Sequence, residues 1–313
     1  VERYLVTGVL GCLGAWLTRE LLDEGAFVVG ADVGTNRSRL EALLTADELA
    51  HVTLVQGDVT DLAALEQLLA AYEITNVVHL AALQVPFCKE NPPAGAAVNV
   101  VGTVNVFEAA RRHERIERVV YASSIAVYGP ADAGDEDERT SPQTHYGVYK
   151  VANEGTARIY WQDAGLPSIG LRPHTVYGPT RDQGVTSTPT QAMLAAARGE
   201  SFHIPWGGVS SYQYTRDIAR AFIAASRSEL DGSRVYNLPA HRLDMSEVVA
   251  AIEQVVPEAA GSISFDDVSL PFPEATAAER FDEEVGPTPR TPFLEGVAET
   301  VSFGRVGQLG PPD

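Results

Sequence analysis

The sequence is short of cysteine, of basic residues and of long apolar runs, and each shortage closes off a class of function. Two cysteines, Cys12 and Cys88, are too few for a disulfide framework. Neither sits in a metal-ligand spacing, so no metal is expected, and a reducing cytoplasmic compartment follows. Only 23 Lys and Arg stand against 42 Asp and Glu, a formal net charge of −19. A surface that acidic repels phosphate backbones and sets nucleic acid aside as a partner. No stretch approaches the roughly 20 apolar residues that cross a bilayer, so no membrane partner is expected. Val1-Glu2-Arg3-Tyr4-Leu5-Val6 opens directly as a strand, without a charged leader or cleavage site, which again favours the cytoplasm.

What is present can build a sizeable core, with 45% hydrophobic residues in 313. Short β-branched runs alternate with amphipathic stretches, the pattern of βαβ units and a parallel sheet. Strands are expected at Tyr4-Leu5-Val6, at Phe27 to Ala31, at Val52 to Val55, at Asn76 to Leu80 and at Arg118 to Ala122. Helices are expected at Trp16 to Leu22 with Gly25 as its stop, at Leu62 to Ala70, at Val98 to Arg112 and at Tyr146 to Trp161. Gly129 to Gln143, with Asp135-Glu136-Asp137-Glu138, reads as a solvated loop without an active role. Beyond Arg172, prolines punctuate short elements of a smaller lobe, and Gly304 to Asp313 should fray. The expected architecture is α/β: a doubly wound parallel sheet (Rossmann) with a smaller C-terminal substrate lobe. Residues 1–175 should bind the dinucleotide, with returns near 209–237, and 176–313 mainly the substrate.

Thr7-Gly8-Val9-Leu10-Gly11-Cys12-Leu13-Gly14 lies between the first strand and the first helix. One glycine permits the tight turn, one lets the backbone approach a pyrophosphate, and one lets helix and strand pack closely. The pyrophosphate then meets free N–H groups at the positive end of the helix. Asp32, at the end of the second strand, can accept both ribose hydroxyls of NAD and repel the extra phosphate of NADP. Arg37 and Arg39 follow and offer cations to that phosphate, which keeps NADP as the lesser alternative. Asp58, followed by Val59, is placed for the adenine edge or for capping the next helix.

Tyr146 and Lys150 lie four residues apart, on one helical face. A tyrosine is a poor base at neutral pH unless a cation favours its phenolate, and Lys150 offers that charge while holding the nicotinamide ribose. Ser124, after the fifth strand, can hydrogen-bond the same substrate oxygen.

In order along the chain, the glycine motif, Leu80-Ala81-Ala82, Asn99, Ala122-Ser123-Ser124-Ile125-Ala126-Val127-Tyr128-Gly129, the Tyr146/Lys150 pair, Leu171-Arg172-Pro173, Val176-Tyr177-Gly178-Pro179 and Leu294 to Thr300 resemble the extended short-chain dehydrogenase/reductases, the NAD-dependent epimerase/dehydratase family. The resemblance covers nearly the whole chain. It implies Tyr146 as acid/base, Lys150 as its electrostatic partner and Ser124 as substrate donor, with Leu80, Ala81, Ala82, Asn99 and Pro173 around NAD. Tyr149 is not the implied base and is expected to pack. A homodimer through the helices near Val98 and Tyr146 is also implied, while the apolar faces of those helices, with Val101, Val104 and Val151, could equally be buried within one subunit.

Departures from the family narrow the chemistry. Dehydratases carry Thr-Asp-Glu where Ser124-Ile125-Ala126 stand, and isoleucine and alanine cannot move the protons of an elimination. The glutamate of family decarboxylases is missing, and Thr180 follows Pro179 where epimerase-reductases place histidine. Thr175 stands where many epimerases have asparagine, and a serine replaces the arginine expected ahead of Asp217. A diphosphate normally needs such a cation, although Arg216 or Arg181 could compensate. Gln84, Ile125, His174, Thr175 and Arg181 complete the candidate substrate contacts. His174 has a buried structural role as its alternative, and Arg181 a surface pair with Asp182. Trp206 and Phe202 read as core.

Three functions remain. The leading one is an NAD-dependent dehydrogenase of a free sugar, sugar acid or similar polyhydroxylated substrate. The second is a sugar 4-epimerase, with nucleotide sugars included, that keeps NAD tightly bound. The third is a non-catalytic NAD-binding module, which the retained tyrosine and lysine oppose.

Overall fold

The computed structural model describes residues 1–132, 134–136 and 140–306. The β-branched runs become β1 (Arg3–Thr7), β2 (Phe27–Asp32), β3 (Val52–Gln56), β4 (Asn76–His79), β5 (Val119–Ala122) and β6 (Ser168–Arg172). Beyond them come β7 (Thr175–Tyr177), β8 (Phe202–Ile204), β9 (Val209–Tyr214), β10 (Ser233–Asn237), β11 (His241–Asp244) and β12 (Ile263–Phe265). Seven strands form one sheet in the order β10-β6-β5-β4-β1-β2-β3, and every pairing in it is parallel. The order reverses beside β1, the switch point where open α/β sheets bind ligands. Strands buried on both faces need continuous apolar runs, as in Tyr4, Leu5 and Val6, all 1% exposed or less.

Part of the chain beyond β6 returns to the main sheet, while β9 joins β7 and β11 in a separate sheet. β10 adds to the sheet edge, and the helix Thr215–Arg227 packs on the first helix, Cys12–Asp23. A second core gathers β7, β9 and β11 with the helices Thr188–Ala197, Met245–Val255 and Phe293–Val306, and encloses Trp206. Phe202 packs against its edge.

Several boundaries move for identifiable reasons. The first helix starts at Cys12, where Gly11 O already accepts from Ala15 N at 2.9 Å, and ends in a turn at Gly25 with φ +75°. Asn91 caps Ala94 N at 3.1 Å, with Pro92 and Pro93 in the first turn, so that helix begins well before Val98. It widens into a π segment over Ala97–Val101 before continuing as Gly102–Arg111. Thr144 caps Gly147 N and Gly165 (φ +64°) closes the helix His145–Ala164. Asp61, not Asp58, caps the helix Leu62–Ala71, while Asp58 turns back onto Thr60 N.

The acidic loop is more than a solvated connection. Asn237 at the end of β10 is fully buried, and its N–H donates to Glu136 while its side-chain amide donates to Gly134 O. Those groups need partners in the interior, and the loop supplies them. Asp137 and Glu138 lie outside the described residues. Gly304 to Val306 remain helical, and 307–313 lie outside the described residues.

Beneath the sheet's C-terminal end, Arg172 forms a two-pronged pair with Glu154 at 2.7 and 2.8 Å. Glu154 also accepts from Ser123 Oγ at 2.5 Å, and Arg172 donates to the Tyr128 hydroxyl. The Arg172 side chain is 3% exposed and that of Glu154 10%. Glu154→Gln would strand a buried guanidinium, and should lower unfolding free energy by about 3 kcal/mol. An unchanged urea midpoint would show that the pair does not anchor the helix.

Candidate active site

The loops at the C-terminal ends of β1, β2, β4, β5 and β6 surround one chamber of about 990 Å³. Its walls include every catalytic, cofactor and substrate candidate named from the sequence except Asn99, and the two alternative cations Arg37 and Arg216 also stand outside it. Asn99 is fully buried and grips the Leu83 backbone on both sides, accepting from its N–H at 2.7 Å and donating to its carbonyl at 2.8 Å. It shapes the chamber wall from behind. Its polar atoms had to serve the loop between β4 and the next helix, a demand that sequence spacing does not reveal.

The glycine motif fits a dinucleotide residue by residue. Gly8 has φ +73°, and a Cβ there would fall 2.7 Å from Ala81 N. At Gly14 a Cβ would fall 2.3 Å from Gly8 O, so helix and turn touch only without a side chain. At Gly11 a Cβ would press on Gly8 O at 3.2 Å and meet no other atom within 4 Å. The helix that follows has no side-chain cap and no acid in its first turn, so its N–H groups are available to an anion. Asp32 accepts from Leu10 N and Gly34 N at 3.1 and 3.0 Å, which fixes its carboxylate at the chamber wall. Arg39 is committed to Asp182 at 2.8 Å and Leu10 O at 2.9 Å, and Arg37 lies exposed beside Glu41. Neither cation waits for a 2′-phosphate, which agrees with NAD.

The helix His145–Ala164 carries Tyr146 and Lys150 into the chamber. Lys150 is 3% exposed, donates to Ala122 O at 2.6 Å and lies 5.4 Å from the centre of the Tyr146 ring. Burial pulls its ammonium down to about 8. Burial pushes the Tyr146 phenol up, while a hydrogen bond from Ser124 and the charge of Arg181 pull it back. Ser124 accepts from Ala126 N at 3.1 Å, which aims its hydroxyl from the turn after β5. Ile125, 4% exposed, offers the wall no proton donor. Tyr149 is turned away to donate to Pro92 O, consistent with packing.

The substrate candidates divide. His174 is held by Pro273 O at 2.8 Å, and burial keeps it neutral, down to about 4. Thr175 shares its hydroxyl with Ser210 at 2.8 Å. Both therefore have structural partners, although both line the chamber. Arg216 is bound to Glu20 at 2.6 Å away from it, so it supplies no compensating cation. Arg181 does not pair with Asp182, which Arg39 has taken, and it faces inward with Gln84. Leu270, Pro271 and Phe272 also close the chamber, from a segment with no local motif to announce it.

A glycine turn fitted to a dinucleotide and a Ser-Tyr-Lys group at one end of it define an NAD-dependent oxidoreductase of the short-chain type. The chain belongs to the NAD dependent epimerase/dehydratase family, whose profile matches residues 4–238. It is 32% identical to a UDP-glucose 4-epimerase of Mycolicibacterium smegmatis, covering 97% of this chain and 98% of that protein. It superposes on MoeE5 in complex with UDP-glucose and NAD with a TM-score of 0.81 and 29% identity, covering 97% and 99%. The UDP-glucose 4-epimerase of Thermus thermophilus, solved with NAD, gives 0.83 at 25% identity over 98% and 100%. NAD is the cofactor. No described helix is long and apolar enough to cross a membrane.

The buried lysine makes stability depend on pH. Below about pH 8 Lys150 is charged whether the chain is folded or not, and the folded state bears the full cost of burying that charge. Between about pH 8 and 10.5 the folded chain sheds the proton first, so the cost fades as pH rises. In NAD-free protein, Lys150→Met should therefore stabilise by about 3 kcal/mol at pH 7 and lose that advantage by pH 10.5. Parallel stability profiles for the two proteins would refute the assignment.

Proposed function

We propose that the protein is a sugar 4-epimerase that retains its NAD and acts on a nucleotide-linked sugar. The supporting observation is likeness to a UDP-glucose 4-epimerase over essentially the full length of both chains. The missing arginine ahead of Asp217 argues for a free-sugar dehydrogenase, but that likeness outweighs a single position. In this reading residues 1–175, with returns near 209–237, would hold NAD, and 176–313 would mainly shape the substrate pocket.

Each residue has a distinct task. Gly8, Leu10, Gly11, Cys12, Leu13 and Gly14 would hold the pyrophosphate, Asp32 the adenosine ribose, and Asp58 and Val59 the adenine. Leu80, Ala81, Ala82 and Pro173 would flank the nicotinamide half. When bound, NAD supplies a hydride acceptor and donor. Tyr146 takes and returns the proton of the sugar hydroxyl, Ser124 holds that oxygen in place, and Lys150 favours the phenolate. Ile125 and Ala126 keep water out and offer no acid for elimination.

Protein purified without added cofactor should release stoichiometric NAD on heating. It should interconvert 4-epimers within a panel of UDP-linked hexoses and hexuronates, with no accumulation of NADH. Tyr146→Phe should retain NAD but lose about 10²- to 10⁴-fold in kcat. Steady NADH formation without isomer exchange would favour the dehydrogenase instead.

The same proposal includes a cytoplasmic homodimer. Val101, Val148 and Ile159 are 50%, 50% and 46% exposed on helical segments packed against each other. Val148 and Ile159 share a face, being three turns apart, and a second copy would cover them. Light scattering should give twice the chain mass, and Val148→Asp should shift it to the monomer. A monomeric wild type would end this part of the proposal.

A further inference from the structure

Arg181 is held by a turn that costs the backbone something to make. Thr180, fully buried and β-branched, has φ +68°, a conformation that such residues rarely adopt. Surrounding contacts hold it there. Trp16 Nε1 donates to Pro179 O at 3.0 Å, Thr180 Oγ1 donates to Cys12 Sγ, and Arg181 N donates to Gly178 O. Strain kept in place on several sides at a pocket wall is a mark of function.

The turn delivers a guanidinium that makes no ion pair among the described residues, although the charge of Asp182 acts on it. Asp182, next in sequence, is taken by Arg39 at 2.8 Å. Among the described residues Arg181 has no carboxylate partner; its Nη2 donates to Thr186 Oγ1 at 3.0 Å, and its Nε is sealed from solvent without an acceptor. Beside it, Gly184 has φ +89°, and a Cβ there would fall 2.1 Å from Gln84 Oε1 and 3.5 Å from Arg181 Nη2. The glycine thus leaves space that lets Gln84 and Arg181 approach each other from two different loops. Both line the chamber with Ser124 and Tyr146, and the Arg181 charge acts on the Tyr146 phenol.

From this we infer that Arg181, with Gln84 beside it, is a specificity-determining pair that binds a carboxylate on the sugar carbon next to the reacting one, so that the substrate is a hexuronate. The inference rests on the 4-epimerase reading for the position of the reacting hydroxyl. In a pyranose, a carboxylate on C5 adjoins the C4 hydroxyl that Tyr146 would touch, whereas a diphosphate on C1 lies across the ring. A cation that lines the same chamber as Tyr146, and whose charge is felt at its phenol, is therefore placed for the first group rather than the second. A planar guanidinium also matches a carboxylate through paired donors, which a neutral hydroxymethyl group cannot use.

The test measures dissociation constants of the NAD-loaded protein for UDP-glucuronate, UDP-glucose, UDP and free glucuronate. The acid should bind at least about tenfold more tightly than UDP-glucose, the difference one charge-assisted contact can make. Arg181→Gln should abolish that preference by weakening only the acids, and Arg181→Lys should restore part of it. Thermal melting of each variant with and without NAD shows whether the fold survives, and Gln84→Ala provides a second variant that should reduce the preference without removing the charge. Equal or tighter binding of UDP-glucose by the wild type would overturn the inference, as would failure to bind either acid. Weakened binding of UDP itself by Arg181→Gln would also overturn it, by making the residue a diphosphate clamp. Selective acid binding without any isomer exchange would leave Arg181 assigned and remove the epimerase reading instead.

Discussion

Everything at the site depends on where one helix meets the sheet. The helix His145–Ala164 presents Tyr146, Lys150 and Glu154 at four-residue intervals, and so along one face. Glu154 is the anchor. It is fixed by Arg172 from the end of β6 and by Ser123 from the end of β5, so one carboxylate ties the helix to two neighbouring strands. Charges so little exposed are costly to bury, and their partners leave little freedom of position. Tyr146 and Lys150 inherit that placement, because they are rigidly joined to Glu154 through the helix. Lys150 is then secured locally by Ala122 O.

In a chain with so large an excess of carboxylates, cations are scarce, and how they are spent is informative. Arg172 serves the anchor, Arg39 holds Asp182, and Arg216 and Arg220 both hold Glu20. These pairs remove cations from the pocket mouth and from the first helix's outer side. Lys150 and Arg181 are left facing the chamber. An acidic surface would otherwise repel an anionic ligand, so each remaining cation acts in a site where water is partly excluded and its charge is felt more strongly.

What could be read in the sequence was local. The glycine turn, the Tyr146/Lys150 spacing and the β-branched strand runs follow from short stretches whose chemistry is complete within a few residues. Partner choices across the chain were not legible. Asp58 and Asp61 were both close enough to cap one helix, and geometry gave the role to Asp61. Arg181 sits next to Asp182 in sequence, yet Arg39, far earlier, has the better approach to it. The charge of Glu136 suggests solvent, but the buried Asn237 N–H needed an acceptor. Asn99 fits the family pattern as a cofactor residue, and its bonds to the Leu83 backbone were not legible in that pattern. The segment Leu270 to Phe272 carries no periodicity that could have placed it over the chamber.

The link between the two halves of the chamber runs through the first helix. Cys12 belongs to the glycine turn, and Trp16 lies one helical turn further on. Together they contact Pro179 and Thr180, the residues that set the direction of Arg181. The glycine turn and the turn that carries Arg181 are therefore parts of one packed unit. A small displacement of the helix start would shift both, because densely packed interiors transmit displacement instead of absorbing it. Thr180 can stay in a conformation that disfavours it only while Trp16 and Cys12 hold their places. The glycine turn in this fold thus has a structural task, which is to support the strained backbone that carries Arg181.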